Sequence, residues 1–223
     1  MPDHDCLSGT QRLSLQHGYR TQIYEHRNGT APSCPPEKTK LSTGEPNKIF
    51  ENKLQQKFDA DHVNQKWYTD FTYLFLKNGE VRHNCSIVDL YDRSVIASVT
   101  DRQPTSSLAI RTLRKTLESQ LQIQKGLILH SDQGSQYTSK AFVEYYKSVH
   151  ITQSMSKAGN PYDNALMERY FNILKNECIY LYKFHTEEAL YQAVEEFSYI
   201  TYNHIRPHSY NGYRTPYQAR TAS

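Results

Sequence analysis

The sequence predicts an α/β domain, a mixed five-stranded sheet flanked by helices, with a poorly ordered N-terminal arm in front of it. Three observations carry that expectation. An aromatic and β-branched run, Trp67–Leu76, is followed by an Asn78-Gly79 turn and two further strand-like runs. Beyond Pro104, segments of helical period alternate with short apolar runs, the pattern of a sheet and its covering helices. Residues 1–46, by contrast, hold five of the nine prolines and show no sustained apolar period.

Each element follows from local chemistry. Residues 1–46 read as a poorly ordered or degenerate arm with a short helix near Leu13–Tyr24, and residues 47–66 as a lead-in to a core over 67–220. Trp67–Leu76, Val81–Leu90 and Ser94–Thr100 are expected as an antiparallel meander, its second turn at Tyr91-Asp92-Arg93. Thr105 can cap a helix reaching Gln122, with Leu108, Leu113, Leu117 and Leu121 largely on one side. Leu127–His130 is short and apolar, as a central strand would be. A helix over Ser139–Ser148 and a strand at Ile151–Ser154 follow. After the Gly159–Tyr162 loop come a helix from Asp163 to Tyr180 and a last helix from Thr186 to His204. Glu187 and Glu188 sit in the first turn of that last helix, against the positive end of its dipole, and Pro207 cannot continue it.

Composition narrows the function classes. The formal net charge is only +3, but residues 101–160 carry eight Lys/Arg against four acids. Arg111, Arg114 and Lys115 form a compact basic cluster on one predicted helix, so an anionic partner is favoured over none. Eighteen tyrosines against eight phenylalanines and one tryptophan suit wet surfaces as well as cores. The four cysteines form no CxxC pair, which excludes a zinc ribbon or a disulfide scaffold. No apolar run approaches the roughly 18–20 residues of a membrane span, and no signal pattern opens the chain. A soluble protein of a reducing compartment is expected, with no membrane partner.

Three carboxylates stand out by position. Asp70 lies mid-strand among aromatics, Asp132 ends an apolar strand, and Glu168 lies on a helix. At about 100° per residue, Asn164, Glu168, Asn172 and Lys175 share one narrow sector beside an apolar stripe of Met167, Phe171, Leu174 and Cys178. That helix would pack its stripe on the sheet and hold Glu168 at the edge of the core. If the first and fourth strands are neighbours, the three acids converge. Converging carboxylates need protons or metal, and all-oxygen ligation points to two Mg²⁺ or Mn²⁺ ions rather than zinc or copper. Taken singly, each acid has a bland reading as a surface, turn or ion-pair residue. Spacing ties them together.

Asp132 and Glu168 have 35 residues between them, and Lys175 follows Glu168 by two helical turns. Four ordered words accompany that spacing: Trp67-Tyr-Thr-Asp70, His130-Ser-Asp-Gln-Gly-Ser-Gln-Tyr137, Asn160-Pro-Tyr-Asp-Asn-Ala-Leu-Met-Glu-Arg-Tyr-Phe171 and Tyr202-Asn-His-Ile-Arg-Pro-His208. Over roughly residues 60–220 the chain resembles the D-D-35-E integrase-core transposases of bacterial two-frame insertion sequences, the frame-B catalytic product, related to retroviral integrases. The order of elements likewise matches a ribonuclease-H-like domain.

That resemblance implies Asp70, Asp132 and Glu168 as metal-binding catalytic acids and Lys175 as a DNA contact. It implies strand cleavage at insertion-sequence ends followed by transfer of the new 3′ hydroxyl to target DNA. Asn164 either orders the site, contacts DNA or caps its helix. Arg111, Arg114, Lys115 and Arg206 are further candidate DNA contacts. His130 fits a structural histidine better than a role behind the acids. An upstream-frame subunit, a homo-oligomer on DNA and a place in the bacterial cytoplasm at the nucleoid are also implied. Family members carry a basic helix-turn-helix region before the core; here only His17-Gly-Tyr-Arg20 matches it, so a copy truncated or frame-damaged at its start is expected. The competing readings are a non-catalytic DNA-binding remnant that inhibits intact transposase, and a ribonuclease-H-like nuclease that cuts without joining.

Overall fold

The computed structural model describes residues 25–26, 48–120, 123, 125–157 and 163–222. The expected helix near 13–24, the His17–Arg20 match and the whole of the 159–162 loop fall outside them. Strands β1 (Lys66–Phe75), β2 (Val81–Asp89) and β3 (Val95–Asp101) form the expected antiparallel meander. At the first turn Gly79 takes φ +87, a left-handed conformation that costs a residue without a Cβ little. At the second, Arg93 takes φ +64 while Asp92 Oδ1 accepts from Ser94 N at 2.7 Å. Strands β4 (Ile128–Ser131) and β5 (Thr152–Met155) lie parallel to β1, giving the spatial order β3-β2-β1-β4-β5.

Helix α1 (Ser106–Ser119) is capped by Thr105 and α2 (Lys140–Ser148) by Ser139, each hydroxyl accepting from the third backbone N–H beyond it. With Trp67, Leu129 and Tyr137 these helices build the core on one sheet face, through Leu113, Phe142 and Tyr146. The opposite face carries α3 (Ala165–Glu177) and α4 (Glu187–Glu195). The α3 stripe is buried as its period predicts: Met167 and Leu174 are fully covered and Phe171 and Cys178 nearly so. Each fully buried chain of that size contributes about 2 kcal/mol. The chain closes with α5 (Pro216–Thr221), whose Thr215 and Gln218 form a reciprocal capping box.

Three helices differ from expectation, the first being α1, which stops at Ser119, with Gln120 already extended, rather than reaching Gln122. The last helix is not one regular helix to His204: after Glu195 it widens into a π-helix over Glu196–Ile205. The side chains of that segment explain it. Asn203 exchanges both amide hydrogen bonds with the backbone of Val95 at 2.9 Å, and the Tyr199 hydroxyl bonds the backbone of Ser98. The wider coil thus puts side chains on the outer edge of β3. Helix α3 also stops at Glu177 rather than Tyr180, and Ile179–Leu181 tighten into a 3₁₀ turn. Glu25–His26 pair with Tyr182–Lys183 as a two-residue antiparallel bridge that the composition of the arm does not suggest.

Candidate active site

Register brings Asp70 and Asp132 together. Strands β1 and β4 pair in parallel as Lys66↔Ile128, Trp67↔Leu129 and Tyr68↔His130. Two residues beyond the last pair, on the same face by strand alternation, stand Asp70 and Asp132. The rings of Tyr68 and His130 mark that face, meeting edge to face at 4.8 Å. It is the face α3 covers, because Tyr68 shares a core with Met167, Tyr170 and Leu174.

Two contacts fix the start of α3 over the acids. The Tyr68 hydroxyl donates to the Asp163 carbonyl oxygen, and Asn164 Nδ2 donates to Asp70 Oδ2 at 3.0 Å. Asn164 flanks α3, but its side chain makes no cap hydrogen bond there; it serves Asp70 instead. Its Oδ1 is buried with no hydrogen-bond partner among the described residues. Asp163 is held in turn by Asn52 Nδ2 at 3.0 Å and Lys157 N at 3.1 Å, so the lead-in segment anchors the helix start. Nothing in the sequence singles out Asn52. Its partner lies 111 residues away.

Glu168 stands one turn into α3, exposed, its backbone N–H donating to Asn164 O at 3.1 Å. Its charge and that of Asp132 both act on Asp70. Burial first, and then Asp132, push the Asp70 carboxyl up to about 7, while the hydrogen bonds from Asn164 and Phe71 N pull it down. Asp132 is also raised by burial, opposed by the Gly134 N–H that donates to its Oδ1 at 2.9 Å. Burial raises the Tyr68 hydroxyl too, followed by the charges of Asp70, Asp132, Asp163 and Glu168. His130 is fully buried, bonded through Nδ1 to Ser154 Oγ at 2.8 Å, and burial pushes its pKa down to about 4. Its Nε2 is buried without a hydrogen-bond partner among the described residues, and its ring packs on Tyr68.

Gly134 has a specific reason to lack a side chain. Its φ of −56 is ordinary, but a Cβ there would meet Asp132 Oδ1 at 2.9 Å and Gln136 Oε1 at 2.8 Å. The glycine makes room for the carboxylate rather than permitting an unusual turn.

The donor set suits a hard divalent cation. It is oxygen-only and acidic, and burial, then the charge of Asp132, hold Asp70 above the usual carboxylate range, so a bound divalent cation would favour its ionised form. Among the described residues no three His, Cys, Asp or Glu side chains stand close enough to form a ready-made cage.

The other candidates are dispersed. Lys175 lies two turns beyond Glu168 on the same helix, its Nζ 4.3 Å from the Tyr73 ring centroid. Arg111, Arg114 and Lys115 ride on α1, across the sheet from the acids. There Arg111 pairs with Asp101, Lys115 with Glu195 at 2.8 Å, and Arg114 lies over Tyr145. Arg206 is forked onto Glu177 at 2.9 Å, beside the end of α3.

The sheet order, the helices on both faces and the acids at the β1/β4 junction define a ribonuclease-H-like integrase core. Among solved structures, the HTLV-2 integrase catalytic core domain in complex with magnesium aligns at a TM-score of 0.53, with 20% identity, over 72% of this chain and 98% of that one. A chain of the simian T-cell lymphotropic virus intasome in complex with PP2A regulatory subunit B56 gamma aligns at 0.58, with 21% identity, over 79% and 60%. The Integrase core domain family matches residues 60–161 and again 149–216. A transposase-like protein of Haemophilus influenzae is 35% identical over 178 residues, 80% of this chain and 81% of its own length. InsK of Escherichia coli K12, named for insertion sequence element IS150, is 36% identical over 73% of this chain, and InsF for IS3A is 35% identical over 76%. The chain spans 56% and 58% of the length of those two relatives. It belongs to the integrase-core transposases of insertion sequences such as IS150 and IS3.

Proposed function

We propose that this chain is a DNA transposase that cuts one strand at an insertion-sequence end and joins it to target DNA, with Asp70, Asp132 and Glu168 as catalytic acids. The observation that carries the reading is the register of β1 and β4, which sets Asp70 beside Asp132 under the helix that bears Glu168. In cleavage, a water oxygen bonds to phosphorus, the P–O3′ bond breaks, and the water's proton leaves to solvent as the 3′ hydroxyl is freed. In transfer, that 3′ oxygen bonds to a target phosphorus and another 3′ oxygen leaves. Two Mg²⁺ or Mn²⁺ ions held by the three carboxylates would supply activation of the attacking oxygen and charge neutralisation at the leaving one. Asn164 fixes the orientation of Asp70, and Lys175 neutralises a DNA phosphate two turns along α3.

The same proposal includes a homo-oligomer assembled on DNA, an upstream-frame partner subunit and a place in the bacterial cytoplasm at the nucleoid. Among the described residues no helix is long and apolar enough to cross a membrane.

Asp132→Asn should abolish nicking and strand transfer on a labelled element-end duplex in Mg²⁺ or Mn²⁺, by more than a hundredfold, while salt-sensitive DNA binding persists. Full activity in that variant would sink the reading. Tight binding by the parent protein without nicking would favour the inhibitory remnant, and nicking without joined products the nuclease.

A further inference from the structure

Residues 197–223 contain no Asp or Glu, but three Arg, two His and five Tyr. Part of that run is a tight loop over 206–214. His208 N donates to Arg214 O at 3.1 Å, Tyr213 N to His208 O at 3.1 Å, and the buried Asn211 Nδ2 to Asp92 O at 2.7 Å. The loop holds Tyr213 at φ +64, an uncommon conformation for a residue with a side chain, and leaves it 77% exposed. Exposed Tyr210 has the buried Arg93 guanidinium over its ring at 3.8 Å, and its hydroxyl donates to Asp59 Oδ1 at 3.0 Å. Asp59 also lies 3.7 Å from Arg93, so its charge is engaged. An open hollow of about 590 Å³ is walled by Tyr91, Tyr210, Asn211 and Arg214, with no acid among the described residues that line it.

Ring contacts join this loop to the helix that bears Glu168. Tyr170 of α3 meets Tyr202 edge to face at 5.1 Å, and Tyr202 meets His208 at 6.1 Å. Burial, then the charges of Arg93, Arg206 and Arg169, push the His208 pKa down to about 4, which reports three guanidiniums around one ring. Arg206 is forked onto Glu177. Arg169, next to Glu168 in the chain, and Arg214 are exposed and make no ion pair among the described residues.

We propose that Arg169 and Arg214, with Tyr210 and Tyr213, hold backbone phosphates of the DNA duplex whose strand the acids act on. The inference rests on the reading that the acids act on DNA. A guanidinium without a carboxylate partner is matched to phosphate in charge and in hydrogen-bond geometry. Tyrosine hydroxyls bond phosphate oxygens without reading sequence. The loop is already fixed by its own hydrogen bonds, so little ordering remains to oppose binding. Spacing fits as well. Asp70 and Lys66 are four residues apart on β1, about 13 Å, and Leu90 N donates to Lys66 O at 2.9 Å just before Tyr91. A duplex that rises about 3.4 Å per base pair covers that distance in about four. A second copy docked here by two-fold symmetry would instead set arginine against arginine.

The test measures binding of a labelled duplex of arbitrary sequence by fluorescence anisotropy over a salt series, because phosphate contacts set the slope of log affinity against log salt. Arg169→Gln and Arg214→Gln should each lower that slope by about one, and the double variant by about two, with unchanged melting temperatures. Lys147→Gln, on α2 across the sheet, is the control and should leave the slope as it is. Equal losses in the control overturn the proposal, since only net charge would then be read. Unchanged slopes in the arginine variants overturn it too and leave the acid site standing. If those variants also lose self-association on a sizing column, the surface belongs to a second copy instead. Failure of the parent protein to bind the duplex overturns both the surface and the reading beneath it.

Discussion

Asn164 uses one half of its amide on Asp70. Its Nδ2 holds Asp70 Oδ2, and its buried Oδ1 has no partner among the described residues. Asn164→Ala should lower the single-turnover nicking rate by roughly 10–100-fold, the usual range for a residue that orients a metal-binding group. The melting temperature should change little, since the side chain sits at the rim of the fold. An unaltered rate would show that Asp70 keeps its orientation without the amide. At this scale, much of the candidate site was legible. Asp132, Glu168 and Lys175 are tied by spacing along the chain, and Asp70 by the aromatic strand around it. The partner of Asn164 was not legible, because helix capping is a local bond and Asp70 lies 94 residues away. The reason for Gly134 was not legible, since a close approach to a carboxylate leaves no mark on the sequence.

Elements with local causes were easiest to foresee. The hydroxyl caps Thr105, Ser139 and Thr186 each act within three residues, and all three start helices as expected. The π-helix was not foreseeable from period, because its cause is the distant backbone of β3. Short α5 belongs to the same category. It is fastened by Arg220, whose guanidinium reaches Asp92 Oδ2 at 2.8 Å, Asp89 Oδ2 at 3.2 Å and Gln120 Oε1 at 2.6 Å. Both aspartates are fully buried. Burial, with Asp92 adding to it, pushes the Asp89 carboxyl up to about 6 even with Arg220 in place. Arg220→Ala would leave two carboxylates facing each other without a cation. It should cost about 3 kcal/mol in urea unfolding, the scale for removing one member of a buried pair. A loss below a few tenths of a kcal/mol would mean that α5 is not a fastening element.

At the scale of the whole molecule, Glu187 joins parts far apart in the chain. It sits in the first turn of α4 and binds Arg82 of β2 and Arg102 just beyond β3. Arg102, and then Arg82, hold its carboxyl at about 2, below the ordinary 4.5. These pairs therefore favour the folded state at any pH above about 4.5, and that contribution fades as pH falls from 4.5 through 2. Glu187→Gln should melt a few degrees below the parent protein at pH 6, and the gap should close through that acid window in a calorimetric series. A gap independent of pH would assign the effect to packing rather than charge. The side-chain contacts on β3 have a different kind of consequence. Asn203 and Tyr199 occupy backbone groups that would otherwise invite a further strand. On the other side of the sheet, the lead-in chain meets β5, with Lys53 N on Ser154 Oγ and Met155 N on Glu51 O. Both margins of the sheet are thereby occupied by the chain's own groups, so a second copy meeting either one would find side chains and lead-in backbone rather than open strand ladders.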